Sequence, residues 1–143
     1  MKPRIFIDSS VLFSAAYSDK GHSRDLLLMG ASGEVTIIIS QFVMQETIRN
    51  LLGLKKPPLN ELEQIVQNAS IELVNATKQA VLDAAKLITL KDAPIIAAAK
   101  FAKVNMLVSM DKKHILNRPK LEDYINAPIV TPLIAYQQIR NLK

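Results

Sequence analysis

Four carboxylates stand out because each is predicted to lie beside the end of a secondary-structure element. Asp8 and Asp111 each follow a short apolar run, Glu46 lies in the second turn of a predicted helix, and Asp92 begins another helix. A carboxylate that directly follows a buried strand is costly unless its charge is solvated or paired. Oxygen ligands of this kind suit Mg²⁺ or Mn²⁺, whereas zinc favours the cysteine that this chain lacks or histidine, of which it has two. The acids therefore favour a site for Mg²⁺ or Mn²⁺ over a zinc site.

Each acid also has a purely structural interpretation. Asp92 is placed to cap its helix, Glu46 can pair with Arg49 three residues later, and Asp111 can begin a turn. Taken singly, each acid is more simply explained in this way. Only the joint placement of all four at one edge of a sheet favours a functional site.

The apolar and turn-forming residues predict strands that alternate with helices along the whole chain. The predicted strands are 2–7, 35–39, 71–74, 106–109 and 129–130, and the predicted helices include 9–17, 23–31, 60–68 and 78–88, a helix starting at Asp92 and one opened by Pro132. Ser23, Ser40 and Thr77 are predicted N-caps, and Asn60 with Glu63 resembles a capping box. This order predicts one α/β domain over residues 1–143, with three α/β/α layers and a mostly parallel sheet. Ligands bind beyond the carboxyl ends of such strands, where the four acids are expected to meet.

The helix that begins after Ser40 is predicted to be amphipathic, with Glu46 outside the core. Its predicted apolar stripe consists of Met44, Ile48, Leu51 and Leu52. Glu46 is assigned to the opposite face, with Arg49 and Asn50.

Composition and charge narrow the class of protein. The chain has 143 residues, of which 49% are hydrophobic and 22% are charged, so it is not a disordered, collagen-like or coiled-coil sequence. Without cysteine it has neither a disulfide nor a thiolate nucleophile. The net charge of +5 comes from residues 91–143, which favours a polyanionic partner such as nucleic acid, although solubility explains such a balance equally well. The N-terminal segment is neither a signal peptide nor a membrane span, so a cytoplasmic location is expected.

Four segments around the acids resemble the acidic blocks of the PIN domain family. They are Ile5-Phe6-Ile7-Asp8-Ser9-Ser10-Val11-Leu12, Gln41-Phe42-Val43-Met44-Gln45-Glu46, Lys91-Asp92-Ala93-Pro94-Ile95-Ile96-Ala97-Ala98-Ala99, and Leu107-Val108-Ser109-Met110-Asp111-Lys112-Lys113-His114. The third and fourth blocks are the most specific. Because the chain is a small domain without added modules, it is most similar to the VapC-type ribonucleases, which are toxins of toxin-antitoxin pairs.

The resemblance implies an endoribonuclease that depends on Mg²⁺ or Mn²⁺. Asp8, Glu46, Asp92 and Asp111 would be the metal-binding and catalytic residues. Ser10 and Ser109 match small polar positions near the acids and are predicted to support them. The pair Ser109-Met110 replaces a more usual Thr-Gly or Thr-Asn pair, so the loop before Asp111 departs from the family pattern.

The predicted partners are RNA, a cognate antitoxin and a second copy of the chain. Arg49, Lys91, Lys112 and Lys113 are candidate contacts to the phosphate backbone, although a solvated surface explains any one of them. The leucines within residues 26–28 and 51–54 are expected to supply apolar surface for a partner. His114 is interpreted as a half-buried helix residue.

Two other functions remain open at this point. A PIN-like domain can bind RNA or a protein without cutting. A phosphorylation receiver domain also has an acid after its first strand, but here Asp8 is followed by Ser9 and Ser10 rather than by a second acid.

Overall fold

A parallel β-sheet forms the centre of the computed structural model, which describes residues 2–141. The strands are β1 (Arg4–Ile7), β2 (Thr36–Ile39), β3 (Glu72–Leu73), β4 (Met106–Val108) and β5 (Ile129–Val130). Within the described residues the sheet order is β3-β2-β1-β4-β5, and every neighbouring pair is parallel. Phe6 in β1 is aligned with Ile38 in β2 and Leu107 in β4, so β1 is the central strand.

The helices fall into two groups that cover the sheet. They are α1 (Ser9–Tyr17), α2 (His22–Ala31), α3 (Gln41–Leu52), α4 (Leu59–Asn68), α5 (Lys78–Ala84), α6 (Ala93–Ala102), α7 (Pro119–Ile125) and α8 (Pro132–Asn141). Helices α1 to α4 and α8 pack against one another, and α6 packs against both α5 and α7. The predicted three-layer α/β fold is confirmed.

Apolar side chains explain why β1 and its neighbours are central. Ile5, Phe6 and Ile7 are fully buried, as expected for a parallel strand covered on both faces. Helix α2 approaches β2 closely at Gly30, where an added Cβ would lie 2.8 Å from Cγ1 of Ile37. This packing fixes the carboxyl ends of the strands relative to the helices that follow them.

Several predicted element boundaries are wrong. Helix α2 begins at His22 after Gly21, which has a φ of 96°, and it has no side-chain cap, so Ser23 is not its N-cap. Helix α4 has Pro58 at its N-cap position without a side-chain cap, so the box of Asn60 and Glu63 does not form. Helix α5 ends at Ala84 rather than at residue 88.

Two predicted caps are confirmed. The hydroxyl of Ser40 accepts a hydrogen bond from the backbone N of Val43 at 3.2 Å, and that of Thr77 accepts one from Ala80 at 3.1 Å. Of the described helices, none has both the length and the apolar character that crossing a membrane requires.

Candidate active site

A cleft of about 480 Å³ opens beside the carboxyl ends of β1 and β4, next to the middle of α3 and the start of α6. The four acids predicted from the sequence all line this cleft: Asp8, Glu46, Asp92 and Asp111. Lys91 also lines it. The strand order explains the convergence, because β1 and β4 are adjacent and parallel and so end at the same edge.

Asp8 is the most constrained of these acids. It follows β1, is only 2% exposed, and accepts a hydrogen bond from the backbone N of Val11 as the N-cap of α1. Burial raises the pKa of Asp8 above its ordinary value. Hydrogen bonds from two serines and Val11 oppose this rise, and the charge of Asp111 adds to it. The site therefore holds a carboxyl group whose ionisation is disfavoured without a cation.

Ser10 and Ser109 connect Asp8 to the loop after β4. The hydroxyl of Ser109 donates to Oδ2 of Asp8 and accepts a hydrogen bond from the backbone N of Asp111 at 3.0 Å. The hydroxyl of Ser10 donates to Oδ1 of Asp8 and accepts one from the backbone N of Met110 at 3.2 Å. Met110 contributes its backbone to this network, so the departure from the usual Thr-Gly or Thr-Asn pair leaves the loop attached to Asp8.

The prediction that Glu46 lies outside the core is wrong. Glu46 is only 9% exposed and shares the buried face of α3 with Val43 and Thr47. The hydroxyl of Ser9 donates to its Oε1, and Nη2 of Arg49 lies 3.6 Å from its Oε2. The hydrogen bond from Ser9 in α1 thus satisfies the buried carboxylate of Glu46, although the hydrophobic pattern of α3 predicts that this side chain is exposed.

The predicted apolar stripe of α3 is only partly correct, because Leu51 is fully buried and Met44 packs against the core but the other two members are exposed. Ile48 is 36% exposed and Leu52 is 56% exposed, whereas the polar Thr47 is fully buried. Thr47 tolerates burial because its hydroxyl donates to the carbonyl oxygen of Val43 at 2.8 Å. The hydrophobic pattern alone therefore places only part of the buried face of this helix correctly.

Asp92 occupies the N-cap position of α6 without acting as a cap. Its carboxylate makes no capping hydrogen bond and instead accepts one from the hydroxyl of Thr89 at 3.0 Å. The residue is only 7% exposed. The capping interpretation therefore does not account for this buried acid.

The two carboxylate oxygens of Asp111 have different partners, one in the backbone of a turn and the other in a side chain. Its Oδ1 accepts hydrogen bonds from the backbone N of Lys113 and of His114, both at 3.0 Å. Its Oδ2 lies 3.3 Å from Nδ1 of His114. The turn interpretation is thus correct, and it leaves one oxygen of this acid directed at an imidazole.

His114 lies beside two of the four acids, which the sequence analysis did not predict. It lies in a turn before α7 rather than in a helix, and Nδ1 lies 4.0 Å from Oδ2 of Asp92. The guanidinium of Arg118 donates to the carbonyl oxygens of His114 and Leu87, both at 3.1 Å, which ties this turn to the segment before α6. The spacing of three residues from Asp111 was the available signal, because residues i and i+3 meet in a turn.

The predicted basic residues are spread around the cleft. Lys91 lines it, Lys112 lines a neighbouring pocket, and Lys113 is exposed. The side chain of Arg49 is 72% exposed beside Glu46.

The donor set of the cleft fits a divalent cation. Among the described residues, no lysine or arginine forms an ion pair with Asp8, Asp92 or Asp111. Carboxylate oxygens are the ligands that Mg²⁺ and Mn²⁺ prefer. Serine, threonine and backbone donors hold the carboxylates in place, as the hydrogen-bond partners of metal ligands do.

Comparisons with known proteins agree with this geometry. The family model described as PIN domain matches residues 5–121. A comparison with curated protein sequences gave no significant match.

Three solved structures resemble the fold at low sequence identity. PAE2754 from Pyrobaculum aerophilum has a TM-score of 0.68 and 16% identity, and the alignment covers 97% of this chain and 90% of that chain. VapBC2 from Rickettsia felis, bound to a DNA fragment from its promoter, has a TM-score of 0.66 and 15% identity, with 90% and 98% covered. FitAB bound to a DNA fragment has a TM-score of 0.56 and 14% identity, with 90% and 94% covered. The family model spans most of the sequence and includes all four acids of the cleft, and the chain therefore belongs to the PIN domain family.

Proposed function

We propose that the protein is an endoribonuclease that depends on Mg²⁺ or Mn²⁺ and acts as the toxin of a toxin-antitoxin pair. The observation that carries the proposal is the cleft that four acids line, three of them without a lysine or arginine ion-pair partner among the described residues. PIN domains are generally nucleases, which supports the reaction class.

The acids Asp8, Glu46, Asp92 and Asp111 would hold the cation. When bound, such a cation activates water as the nucleophile and neutralises charge at the scissile phosphate. The chain itself supplies positioning: Ser10 and Ser109 orient the carboxylate of Asp8. No protein nucleophile is needed for this hydrolysis, which agrees with the absence of cysteine.

A nucleic acid is the proposed substrate because basic residues lie near the acids, and the choice of RNA rests on the resemblance to the VapC-type ribonucleases. Lys91 lies in the cleft, and Arg49, Lys112 and Lys113 can contact phosphates further along a strand. These four residues stay candidate contacts, each to be tested by substitution and salt dependence.

The toxin role and its partners rest on the fold neighbours and on an apolar surface. VapBC2 and FitAB are toxin-antitoxin complexes that were solved bound to DNA. By analogy with these fold neighbours, we propose that this chain also has an antitoxin partner. The exposed side chains of Leu28 and Leu52 are candidate partner or self-association contacts, whereas Leu26, Leu27 and Leu51 are buried. A cytoplasmic location follows from the same proposal.

The test is cleavage of end-labelled single-stranded RNA with Mn²⁺, with Mg²⁺ and with EDTA. We expect wild-type cleavage with either metal and none with EDTA. Asp8→Asn should lose activity by about 100-fold or more, since even removal of a hydrogen-bond partner of a metal ligand costs about 10–100-fold. The matched control is Glu72→Gln, which changes a carboxylate that Arg4 pairs with at 2.8 Å. RNA binding without cleavage in the wild type would instead support the non-cutting alternative, and cleavage of DNA alone would refute the RNA substrate.

A further inference from the structure

We propose that His114 is itself a ligand of the cation, so that the site combines one imidazole nitrogen with its carboxylates and prefers Mn²⁺ to Mg²⁺. This inference rests on the metal dependence proposed above. It adds a residue that the four-acid pattern does not contain.

The spacing of three side-chain atoms supports the inference. One ligand atom from each of Asp92, Asp111 and His114 lies within 4.8 Å of the other two. Nδ1 of His114 is 3.3 Å from Oδ2 of Asp111 and 4.0 Å from Oδ2 of Asp92. Atoms that bind one octahedral ion at about 2.1 Å are about 3.0 Å apart when adjacent and about 4.2 Å apart when opposite. The two distances from Nδ1 of His114 fall within that span.

The hydrogen bonds of these residues leave the relevant atoms available. Oδ1 of Asp111 is occupied by two backbone donors, which turns Oδ2 toward the imidazole. Asp92 does not cap its helix, and its Oδ2 accepts one hydrogen bond, from the hydroxyl of Thr89 at 3.0 Å, which leaves a second lone pair of this oxygen for an ion. The side chain of His114 is 38% exposed, so an ion and its waters can reach it.

The backbone holds His114 in place before any ion binds. Its N–H donates to Asp111, and its carbonyl oxygen accepts from Arg118. Arg118 also donates to Leu87, so the turn that carries the imidazole is tied to the chain that leads to Asp92. A preorganised ligand loses less conformational entropy on binding.

A nitrogen ligand changes which ion the site favours. Mg²⁺ is a hard ion that prefers oxygen, whereas imidazole is a common ligand of first-row transition ions. A site that includes His114 should therefore prefer Mn²⁺ over Mg²⁺ more strongly than a site made of four carboxylates alone. The competing arrangement has His114 hydrogen-bonded to Asp111 while only oxygen atoms contact the ion.

Pulsed electron paramagnetic resonance of the full chain with Mn²⁺ alone separates these arrangements, because it detects nitrogen bonded directly to the ion. The chain has only two histidines, so His22→Gln is the matched control for His114→Gln. His22 packs against the ring of Tyr136, with centroids 5.1 Å apart. We expect a nitrogen signal in wild type and in His22→Gln but not in His114→Gln. The affinity of His114→Gln for Mn²⁺ should fall by about 10–100-fold, with a smaller change for Mg²⁺.

Each contrary outcome identifies the statement that fails. Wild type that binds Mn²⁺ without a nitrogen signal, or His114→Gln that keeps the signal, overturns the inference and leaves the proposed metal-dependent function intact. Wild type that binds no Mn²⁺ and no Mg²⁺ overturns the proposed function as well. Labelling histidine with ¹⁵N changes the signal in the unmutated protein if the inference is right, so the test does not depend on the folding of His114→Gln.

Discussion

The acids at the two ends of strand β1 differ in their ion-pair partners and in the direction of their pKa shifts. At the amino end, Arg4 pairs with Glu72 through contacts of 2.8 and 3.3 Å, and the same guanidinium donates to the carbonyl oxygen of Ala102. The hydrogen bond with Arg4 lowers the pKa of Glu72. At the carboxyl end, burial raises the pKa of Asp8, and no lysine or arginine among the described residues forms an ion pair with it.

Under the proposed function, the charges at the amino end are structural, whereas the acids at the carboxyl end bind a cation. The Arg4–Glu72 pair is complete within the protein and needs nothing further. The carboxyl end gathers four acids with serine, threonine and backbone donors, which position carboxylates without neutralising them. Under the proposed function, a bound cation would stabilise this end further.

The largest expected effect is the loss of cleavage on replacing an acid at the carboxyl end of the sheet. Asp92→Asn and Asp111→Asn should each reduce RNA cleavage by about 100-fold or more, because each amide weakens the hold on the cation. Single-turnover rates with saturating Mn²⁺ measure the effect. Glu72→Gln should cleave at the wild-type rate, and an equal loss in that variant would remove the distinction between the two ends.

A smaller effect is expected when the positioning of Asp8 is disturbed but its charge is kept. Ser109→Ala removes the hydroxyl that donates to Asp8 and accepts from the backbone of Asp111. We expect Mn²⁺ affinity to fall by about 10-fold, with recovery in Ser109→Thr, which restores the hydroxyl. Titration calorimetry measures the Mn²⁺ affinity. An unchanged affinity in Ser109→Ala would show that Mn²⁺ binding does not need the hydroxyl that connects Asp8 to the backbone of Asp111.

Removing the charge of Asp8 should stabilise the metal-free protein. Because the folded pKa of Asp8 is raised, ionisation of this group is more costly in the folded state, so stability falls as pH rises through that pKa. In EDTA at pH 7, the free energy of unfolding of Asp8→Asn measured by urea titration should therefore exceed that of wild type. The difference should vanish below pH 3.8, the ordinary pKa of an aspartate side chain. A less stable Asp8→Asn at pH 7 would show that its hydrogen bonds outweigh its charge.

The smallest effect belongs to the pair at the amino end. The side chain of Glu72 is 42% exposed, so solvent screens the pair, and Glu72→Gln should cost less than about 1 kcal/mol. The lowered pKa of Glu72 means that its contribution is present above the ordinary pKa and is lost as pH falls through the folded value. Urea unfolding at about pH 7 and about pH 3 tests this sign. A larger difference at the acidic pH would contradict it.

The sequence predicted the sheet edge because the signals there are local. An apolar run followed by an acid predicts a strand end at Asp8, and a parallel order brings Asp111 to the same edge. Ser40 is recognisable as a cap because its acceptor and the donor of Val43 are three residues apart.

The features that were missed depend on contacts distant in sequence or on loop conformation. Glu46 is buried because Ser9, 37 residues earlier, donates to it, and no pattern within α3 contains that information. His114 joins Asp92 only because Arg118 ties its turn to Leu87. The pairing of Arg4 with Glu72 likewise depends on the sheet rather than on sequence spacing.

Titration calorimetry with Mn²⁺ tests the central claim most directly, namely that the carboxyl end of β1 is completed by a cation and the amino end is not. We predict saturable binding in wild type and in Glu72→Gln, and its loss in Asp8→Asn, with all three proteins folded by circular dichroism. Binding that is absent from wild type, or equal in all three proteins, would contradict the account.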